Sequence, residues 1–207
     1  MKITKITQSK KIADRYTISF EDGTELKANV ALIADYSLYT GRDLDSEELE
    51  ALKQSAGQVA AKSRALKMIN ARAMSKAELC EKLVLKGESE HNAAMAAEWL
   101  EQLGFLNDGE YANMLVRHYA AKGYGTGKIK NELYRRKVPK EHWEEALAHM
   151  PESDEMIDRF IAAKLKGAVP EKSELKKVSD ALLRRGFSWD EIKSALVRYN
   201  NTIEEND

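Results

Sequence analysis

The sequence predicts a mainly α-helical protein, a tandem array of three three-helix repeats, elongated and curved, that follows a small N-terminal antiparallel β-ribbon. Three observations predict this fold class. Residues 1–40 contain alternating apolar and polar side chains around one Asp-Gly pair, which is typical of a hairpin. The rest of the chain is rich in Ala, Leu, Lys, Glu and Arg, which are strong helix formers. This helical part also matches itself with a period of about 50 residues, as tandem helical repeats do.

The N-terminal ribbon is predicted from two short β-rich stretches. Residues 16–20 alternate and include β-branched and aromatic side chains, and residues 25–27 follow after Asp22-Gly23. This pattern predicts two or three antiparallel strands. Because two strands alone are only marginally stable, we expect the ribbon to pack on another part of the chain. Residues 30–39 fit either a strand or a helix.

The helical part begins at Asp45-Ser46, where a capping residue is followed by acidic side chains. Each repeat contains two apolar residues four positions apart, which therefore lie on one helix face. The pairs are Leu79 with Leu83, Ile129 with Leu133, and Val178 with Leu182. We interpret these stripes as core, and we expect each repeat to stack only on its neighbours, which gives an elongated array.

All three prolines fall between periodic segments and are interpreted as boundaries. Together with the repeats, they divide the chain into six predicted parts. These are a β-rich region (1–44), a connecting helix (45–61), repeat 1 (62–107), repeat 2 (108–150), repeat 3 (151–200) and a polar tail (201–207).

Composition and charge exclude several classes of protein. The 207 residues include 33 Lys and Arg against 34 Asp and Glu, a formal net charge of −1, which argues against a wholly basic nucleic-acid binder. The single cysteine, Cys80, excludes an intrachain disulfide and a cysteine-clustered zinc site. No apolar run reaches the roughly 18 residues of a membrane span, and the N-terminus lacks the apolar core of a signal peptide. We therefore expect a soluble cytoplasmic protein without metal, other cofactor or membrane partner.

Basic residues are concentrated in the second repeat. Residues 113–140 contain eight basic side chains and one acidic side chain, Glu132, so this window has a charge of +7. The basic residues are Arg117, Lys122, Lys128, Lys130, Arg135, Arg136, Lys137 and Lys140. Two interpretations stay open: a solvated face with cations that suit a helix C-terminus, or a surface that contacts phosphates. Arg184-Arg185 repeats the pattern in the third repeat.

A glycine-rich loop, Lys122-Gly-Tyr-Gly-Thr-Gly127, lies inside this window. Its three glycines would let the backbone approach a partner closely, and Tyr124 could stack on a base or fill a pocket. A helix end followed by a turn is the other interpretation of the glycines. The loop follows a predicted helix and not a strand, so it lacks the context of a phosphate-binding loop.

No catalytic constellation is predicted. The four histidines have no metal-ligand spacing with carboxylates or with one another, and the sequence contains no dinucleotide-binding motif. We therefore predict that the protein is not an enzyme. An enzyme of unrecognised type is an alternative that no acid–base pair in the sequence supports.

Two stretches have a distinctive spacing, GFLNDGEYA at residues 104–112 and KGYGTGKIKNEL at residues 122–133. They resemble the patterns G-(Y/L)-L-(D/N)-D-x-x-(F/Y)-A and K-G-x-G-x-x-(K/R)-I-x-x-E-L of the RecX family of regulatory proteins. Residues 75–83 also fit the first repeat of that family, and the strand-rich N-terminus resembles its extended members. One departure is Asn107, where Asp is commoner, a mild change at a predicted helix cap.

This resemblance implies a non-enzymatic regulator of DNA repair, recombination and the SOS response. RecX proteins bind along the groove of the RecA filament on single-stranded DNA and usually inhibit strand exchange, ATP hydrolysis and coprotease activity. We therefore expect the RecA filament and single-stranded DNA as partners, and a monomer. The predicted binding residues are Arg117, Lys122, Tyr124, Lys128, Lys130, Arg135, Arg136, Lys137, Lys140, Arg184 and Arg185. The alternative is a stand-alone DNA-binding helical module with one helix in the major groove.

Overall fold

The structure is a computed structural model that describes residues 1–10, 13–166 and 170–204. The chain forms two compact units, residues 1–106 and the residues from 107 onward. Most of the described residues are helical, and a three-stranded sheet lies near the N-terminus. The predicted fold class, mainly α with a small N-terminal antiparallel sheet, is confirmed.

Three strands form the sheet of the first unit. β1 (Ile3–Gln8), β2 (Tyr16–Phe20) and β3 (Glu25–Ala28) pair in an antiparallel manner in the order β1-β2-β3. The turn between β2 and β3 holds Gly23 at a φ of 81°, a left-handed conformation that glycine adopts without a steric penalty. The hairpin predicted at Asp22-Gly23 is therefore confirmed.

The sheet is stabilised by packing on helix α2 (Ser46–Ala71). Ile18 of β2 and Leu52 of α2 are both fully buried in one hydrophobic cluster. This is the support that so small a sheet requires. Residues 30–39, which fit either a strand or a helix, begin with the short helix α1 (Val30–Asp35), whose Leu32 joins the same cluster.

Helix α2 is a single helix of 26 residues. It begins with a capping box, in which the Asp45 carboxylate accepts the Glu48 N–H at 2.8 Å and the Glu48 carboxylate accepts the Asp45 N–H at 3.2 Å. The helix runs without a break through the boundary predicted at residue 61. Its second half packs with α3 (Lys76–Leu85) and α4 (Glu90–Gln102) around a core of alanine and leucine.

The described residues of the second unit form two groups of helices, each with its own hydrophobic cluster. The helices are α5 (Asp108–Ala121), α6 (Thr126–Arg135), a short 3-10 helix (Lys140–His142), α7 (Trp143–Ala148), α8 (Ser153–Leu165), α9 (Lys172–Arg185) and α10 (Trp189–Glu204). The apolar pairs that predicted the repeats lie in these clusters and in that of α2–α4. All three prolines lie between helices, as predicted.

Helices α3, α6 and α9, the middle helices of the three predicted repeats, end in the same type of turn. In each turn a leucine carbonyl accepts a hydrogen bond from the N–H five residues later, which is the mark of a Schellman motif. These bonds join Leu83 to Glu88 at 3.1 Å, Leu133 to Val138 at 3.0 Å and Leu182 to Phe187 at 3.3 Å. The residue with left-handed φ in each turn is Gly87 (90°), Lys137 (56°) and Gly186 (90°).

None of the described helices is long and apolar enough to cross a membrane. The polar tail predicted for residues 201–207 starts inside α10, and residues 205–207 lie outside the described part of the chain.

Candidate binding surface

Helix α6 exposes basic and aromatic side chains of the second repeat. Its residues Ile129 and Leu133 are fully buried and fix which face of the helix points inward. Lys130 and Tyr134, four positions apart on another face, are exposed, and Tyr134 keeps 73% of its surface accessible. An exposed ring one helical turn from a lysine is a combination found on surfaces that bind unpaired bases.

The eleven predicted binding residues differ in exposure. Half-buried are Tyr124, Lys128, Arg136 and Arg185. Arg184 of the third repeat is exposed, and so are six cations of the second repeat. We call these six the basic surface: Arg117, Lys122, Lys130, Arg135, Lys137 and Lys140. Lys128, Lys130 and Arg184 come together along one groove. The assignment of these residues to binding stays a prediction.

Arg185 makes its contacts within the protein. Its guanidinium donates hydrogen bonds to the carbonyl oxygens of Lys122 and Gly123, at 3.0 and 3.1 Å. It also lies over the rings of Tyr124 and Phe160, 5.6 and 4.8 Å from their centroids. These contacts hold the end of α9 against the loop after α5. Arg185 and Tyr124 therefore have a structural role that the sequence did not predict, and we leave them out of the binding surface.

The backbone of the glycine-rich loop lies close to the backbone at the end of α9. The Gly125 N–H donates to the Arg185 carbonyl at 2.9 Å, and the Gly127 N–H donates to the Gly186 carbonyl at 3.0 Å. A Cβ atom on Gly125 would lie 2.7 Å from the Gly186 carbonyl oxygen, so only glycine fits there. Sequence reasoning missed Gly186 as the other side of this contact.

Glu132, the one acidic residue of the basic window, is only 8% exposed. Its carboxylate accepts hydrogen bonds from the Tyr119 hydroxyl at 3.1 Å and from Arg135 at 2.6 and 3.2 Å, and Lys128 Nζ lies 4.0 Å away. Burial raises the Glu132 pKa, but these hydrogen bonds and the two positive charges outweigh it, so the pKa lies below its ordinary value. Glu132 therefore stays ionised and offsets part of the charge of Lys128 and Arg135.

Arg136 is part of the inner packing of the second repeat. It is half-buried and donates a hydrogen bond to the Tyr111 hydroxyl at 3.0 Å. Burial lowers the Arg136 pKa, but hydrogen bonds to the hydroxyls of Tyr111 and Tyr119 hold the pKa above its ordinary value. Reversing the charge of Arg136 would break these bonds inside the fold, so it is unsuitable as a test of binding.

The chemistry of the basic surface is that of anion binding. Lysine and arginine side chains bind phosphates and carboxylates through charge-assisted hydrogen bonds. Within the residues that the structure describes, no group of three or more His, Cys, Asp and Glu could hold a metal ion. Exposed cations of this kind suit a nucleic-acid backbone or an acidic protein surface.

Lys137 has a left-handed backbone conformation, and glycine occupies the equivalent position in the turns of the other two repeats. Its φ is 56°, against 90° for both Gly87 and Gly186. A left-handed conformation disfavours an L-residue by about 1–2 kcal/mol. The backbone conformation alone would therefore favour glycine at this position.

Replacing Lys137 by glycine is expected to raise the free energy of unfolding by about 0.5–1 kcal/mol, because relief of the left-handed conformation exceeds the extra chain entropy that glycine loses on folding. Urea unfolding of the full chain measures this change. Lys137→Ala is the control, since it removes the same side chain but keeps an L-residue in the turn. If both variants had the same stability, the backbone conformation would not be the cause.

A family model matches the part of the chain that contains the basic surface. Residues 107–147 match the second three-helix domain of RecX proteins. The match begins at Asn107, the cap of α5, and ends within α7.

Curated relatives match almost the whole chain. The regulatory protein RecX of Clostridium acetobutylicum is 30% identical over 202 residues, which cover 94% of each chain. The regulatory protein RecX of Clostridium botulinum (strain Alaska E43 / Type E3) is 26% identical over 206 residues, 97% of each.

Two solved structures share the fold. A crystal structure of regulatory protein RecX has a TM-score of 0.69 at 22% identity and covers 94% of this chain and 98% of its own. A crystal structure of RecX from Lactobacillus salivarius has a TM-score of 0.64 at 20% identity and covers 70% of this chain and 98% of its own. With the relatives above, these matches show that the chain belongs to the RecX family of regulatory proteins.

Proposed function

We propose that this chain binds the RecA filament on single-stranded DNA and modulates it, mostly by inhibiting recombinase, ATPase and coprotease activity. The observation that carries the proposal is the set of six exposed cations in the second repeat of a chain whose net charge is −1. A filament that holds DNA offers both phosphates and acidic side chains to such a surface. Membership of the RecX family supports a regulatory role, and the resemblance in sequence supports RecA as the partner.

The distribution of charge fits a partner that is part protein and part nucleic acid. Residues 1–60 and residues 151–207 each have a net charge of −2, whereas residues 113–140 have +7. The net charge of −1 weakens the attraction of the whole chain for bare DNA at long range. We propose that the chain acts as a cytoplasmic monomer, without metal or other cofactor, and that it is not an enzyme.

Reversing three cations of the basic surface is expected to abolish most of the effect on RecA. The variant Arg117→Glu/Lys130→Glu/Lys140→Glu changes exposed side chains only, so the fold should persist. We expect its half-effective concentration in a RecA ATPase assay on single-stranded DNA to rise tenfold or more. The slope of the logarithm of the binding constant for the filament against the logarithm of the salt concentration should become smaller by about 2. Each of the three lost phosphate contacts on a single strand contributes about 0.7 to this slope.

The control for this experiment is Lys172→Glu/Lys176→Glu/Lys177→Glu. It makes the same change of charge on exposed residues in the first half of α9. Equal loss in both triple variants would show that net charge matters and the basic surface does not. A wild-type chain without any effect on the RecA ATPase would contradict the proposed function itself.

A stand-alone DNA-binding helical module is the second candidate. The exposed basic face of α6 favours it, because such a face could also contact duplex phosphates without RecA. Sequence-selective duplex binding in the absence of RecA, with the RecA ATPase unchanged, would support this candidate against the first.

A further inference from the structure

A groove in the second unit lies between the start of α6 and the junction of α9 with α10. Its volume is about 580 Å³, within the range of about 300–1,000 Å³ that small-molecule sites have. Thr126 and Gly127 line one side, and Leu183 and Gly186 line the other. The hydrogen bond from the Gly127 N–H to the Gly186 carbonyl joins the two sides, so the width of the groove is fixed at this point.

Among the residues that the structure describes, three cations and one carboxylate line the groove. Lys128, Lys130 and Arg184 supply the positive charge, and Glu191 is the acidic residue. The Glu191 carboxylate accepts both the N–H and the hydroxyl of Ser188, each at 2.7 Å. Burial raises the Glu191 pKa, but these hydrogen bonds outweigh it and lower the pKa below its ordinary value. The groove therefore has an excess of cations, whereas its one carboxylate is already hydrogen-bonded within the protein.

Large apolar side chains accompany these cations. Tyr134 lies one helical turn after Lys130 on α6 and is 73% exposed. Leu183 lines the groove and is 44% exposed, and Trp189, next in the chain after Ser188, is 55% exposed. A lysine one helical turn from an exposed aromatic ring suits a strand whose phosphates bind the cations and whose bases stack on the ring.

We propose that this groove binds a single strand of DNA, with Lys128, Lys130 and Arg184 on the phosphates and the Tyr134 ring stacked on an unpaired base. The inference rests on the proposed function and specifies which component of the filament this surface contacts. An acidic protein surface would use the cations but would gain little from an exposed ring. A duplex would also use the cations, but its paired bases offer no open face to Tyr134.

The first test removes the ring without changing the charge. The probe is a fluorescein-labelled oligothymidine of about 15 nucleotides, within the range of single-strand site sizes of about 4–16 nucleotides, and binding is followed by fluorescence anisotropy without RecA. We expect Tyr134→Ser to weaken binding roughly tenfold and to leave the salt dependence unchanged, because stacking is not an ionic interaction. Tyr134→Phe keeps the ring and should bind as the wild type does.

The second test removes charge from the groove. Lys130→Glu/Arg184→Glu should weaken binding to the same oligothymidine. The slope of the logarithm of the binding constant against the logarithm of the salt concentration should become smaller by about 1.4, that is, by about 0.7 for each phosphate contact on a single strand. Lys176→Glu/Lys177→Glu makes the same change of charge at two exposed residues of α9 that do not line the groove, and should bind more tightly than the groove variant does.

These measurements separate the inference from the proposed function. If Tyr134→Ser bound oligothymidine as tightly as the wild type, or weakened duplex binding equally, the inference would be wrong even where the wild type inhibits the RecA ATPase. Failure of the wild type to bind oligothymidine would also overturn it. If the binding of oligothymidine depended on the Tyr134 ring but the wild type had no effect on the RecA ATPase, the inference about the groove would be supported and the proposed function would be wrong.

Discussion

Replacing Gly186 by alanine is expected to lower the free energy of unfolding by roughly 1.5–4 kcal/mol, the sum of two effects. The first is the φ of 90° at Gly186, which disfavours an L-residue by about 1–2 kcal/mol, of which about 0.5–1 kcal/mol is offset by the chain entropy that alanine saves on folding. The second is steric, because the new Cβ atom would overlap the backbone nitrogen of Lys128 and would lie 2.6 Å from the Cβ atom of that residue. Backbone at the start of α6 cannot rotate away as a side chain can, and overpacking of this kind typically costs about 1–3 kcal/mol.

Gly87 provides a matched control for this substitution. It has the same φ of 90° in the equivalent turn after α3, but nothing lies within 4 Å of the Cβ atom that alanine would add. Gly87→Ala should therefore lower stability by the net backbone contribution alone, about 0.5–1 kcal/mol, because the left-handed conformation costs more than the chain entropy that alanine saves. The difference between the two variants in urea unfolding measures the contact between α9 and α6. Equal losses would show that this contact is not tight.

Hydrogen exchange localises the effect of Gly186→Ala. If α9 moves away from α6, the Gly125 and Gly127 N–H groups lose their acceptors, the carbonyls of Arg185 and Gly186. We expect these two amides to exchange faster in Gly186→Ala, whereas the amides of α3 and α4 in the first unit keep their wild-type rates. Because the same turn lines the groove, the variant should also bind oligothymidine more weakly.

The features that local sequence predicts well are those that depend on neighbours within a few residues. The Asp22-Gly23 hairpin, the Asp45 cap and the buried pairs of the middle helices follow from turn chemistry and from periods of two and 3.6 residues. Helix α2 is continuous through residue 61, where the connecting helix was predicted to pass into repeat 1, because strong helix formers continue across this position. Where helix propensity is uniform, it does not indicate at which residue a long helix changes from one set of packing partners to the next.

The division of the basic residues between binding and packing could not be predicted from sequence. Arg184 and Arg185 are adjacent and chemically identical, yet Arg184 is exposed, whereas Arg185 reaches carbonyl groups 62 and 63 residues away. Which of the two points inward depends on how α9 packs on the loop after α5, and no local pattern encodes that packing. The same holds for Arg136, whose partner Tyr111 is 25 residues away.

Replacing Glu132 by glutamine is expected to lower the free energy of unfolding by about 1–2 kcal/mol at pH 7, since hydrogen bonds to a charged group contribute about 1.5–3 kcal/mol and neutral ones about 0.5–1.5. Glutamine keeps an oxygen that can accept from the Tyr119 hydroxyl, but it loses the ionic contribution of Arg135 and Lys128. Glu98→Gln, on an exposed residue in the interior of α4, is the control and should change stability by no more than about 0.5 kcal/mol.

The loss in Glu132→Gln should depend on pH. Because the folded-state pKa of Glu132 lies below its ordinary value, the ionised carboxylate stabilises the folded state fully above the unfolded-state pKa of about 4.3. That stabilisation disappears as pH falls through the folded-state pKa. Wild type and Glu132→Gln should therefore differ most at neutral pH and converge in acid, as urea unfolding across that range would show. A constant difference at all pH values would mean that the charge of Glu132 is not responsible.

The same variant separates stability from binding. Glu132 is the one negative charge within residues 113–140, and it pairs with Arg135 beside the groove-lining Lys128. Its neutralisation raises the charge of that window from +7 to +8. We therefore expect Glu132→Gln to bind oligothymidine at least as tightly as the wild type at low salt, although it is less stable. Weaker binding by a folded Glu132→Gln would show instead that Glu132 orients Lys128 and Arg135 for the DNA, and that the positions of these cations matter more than their number.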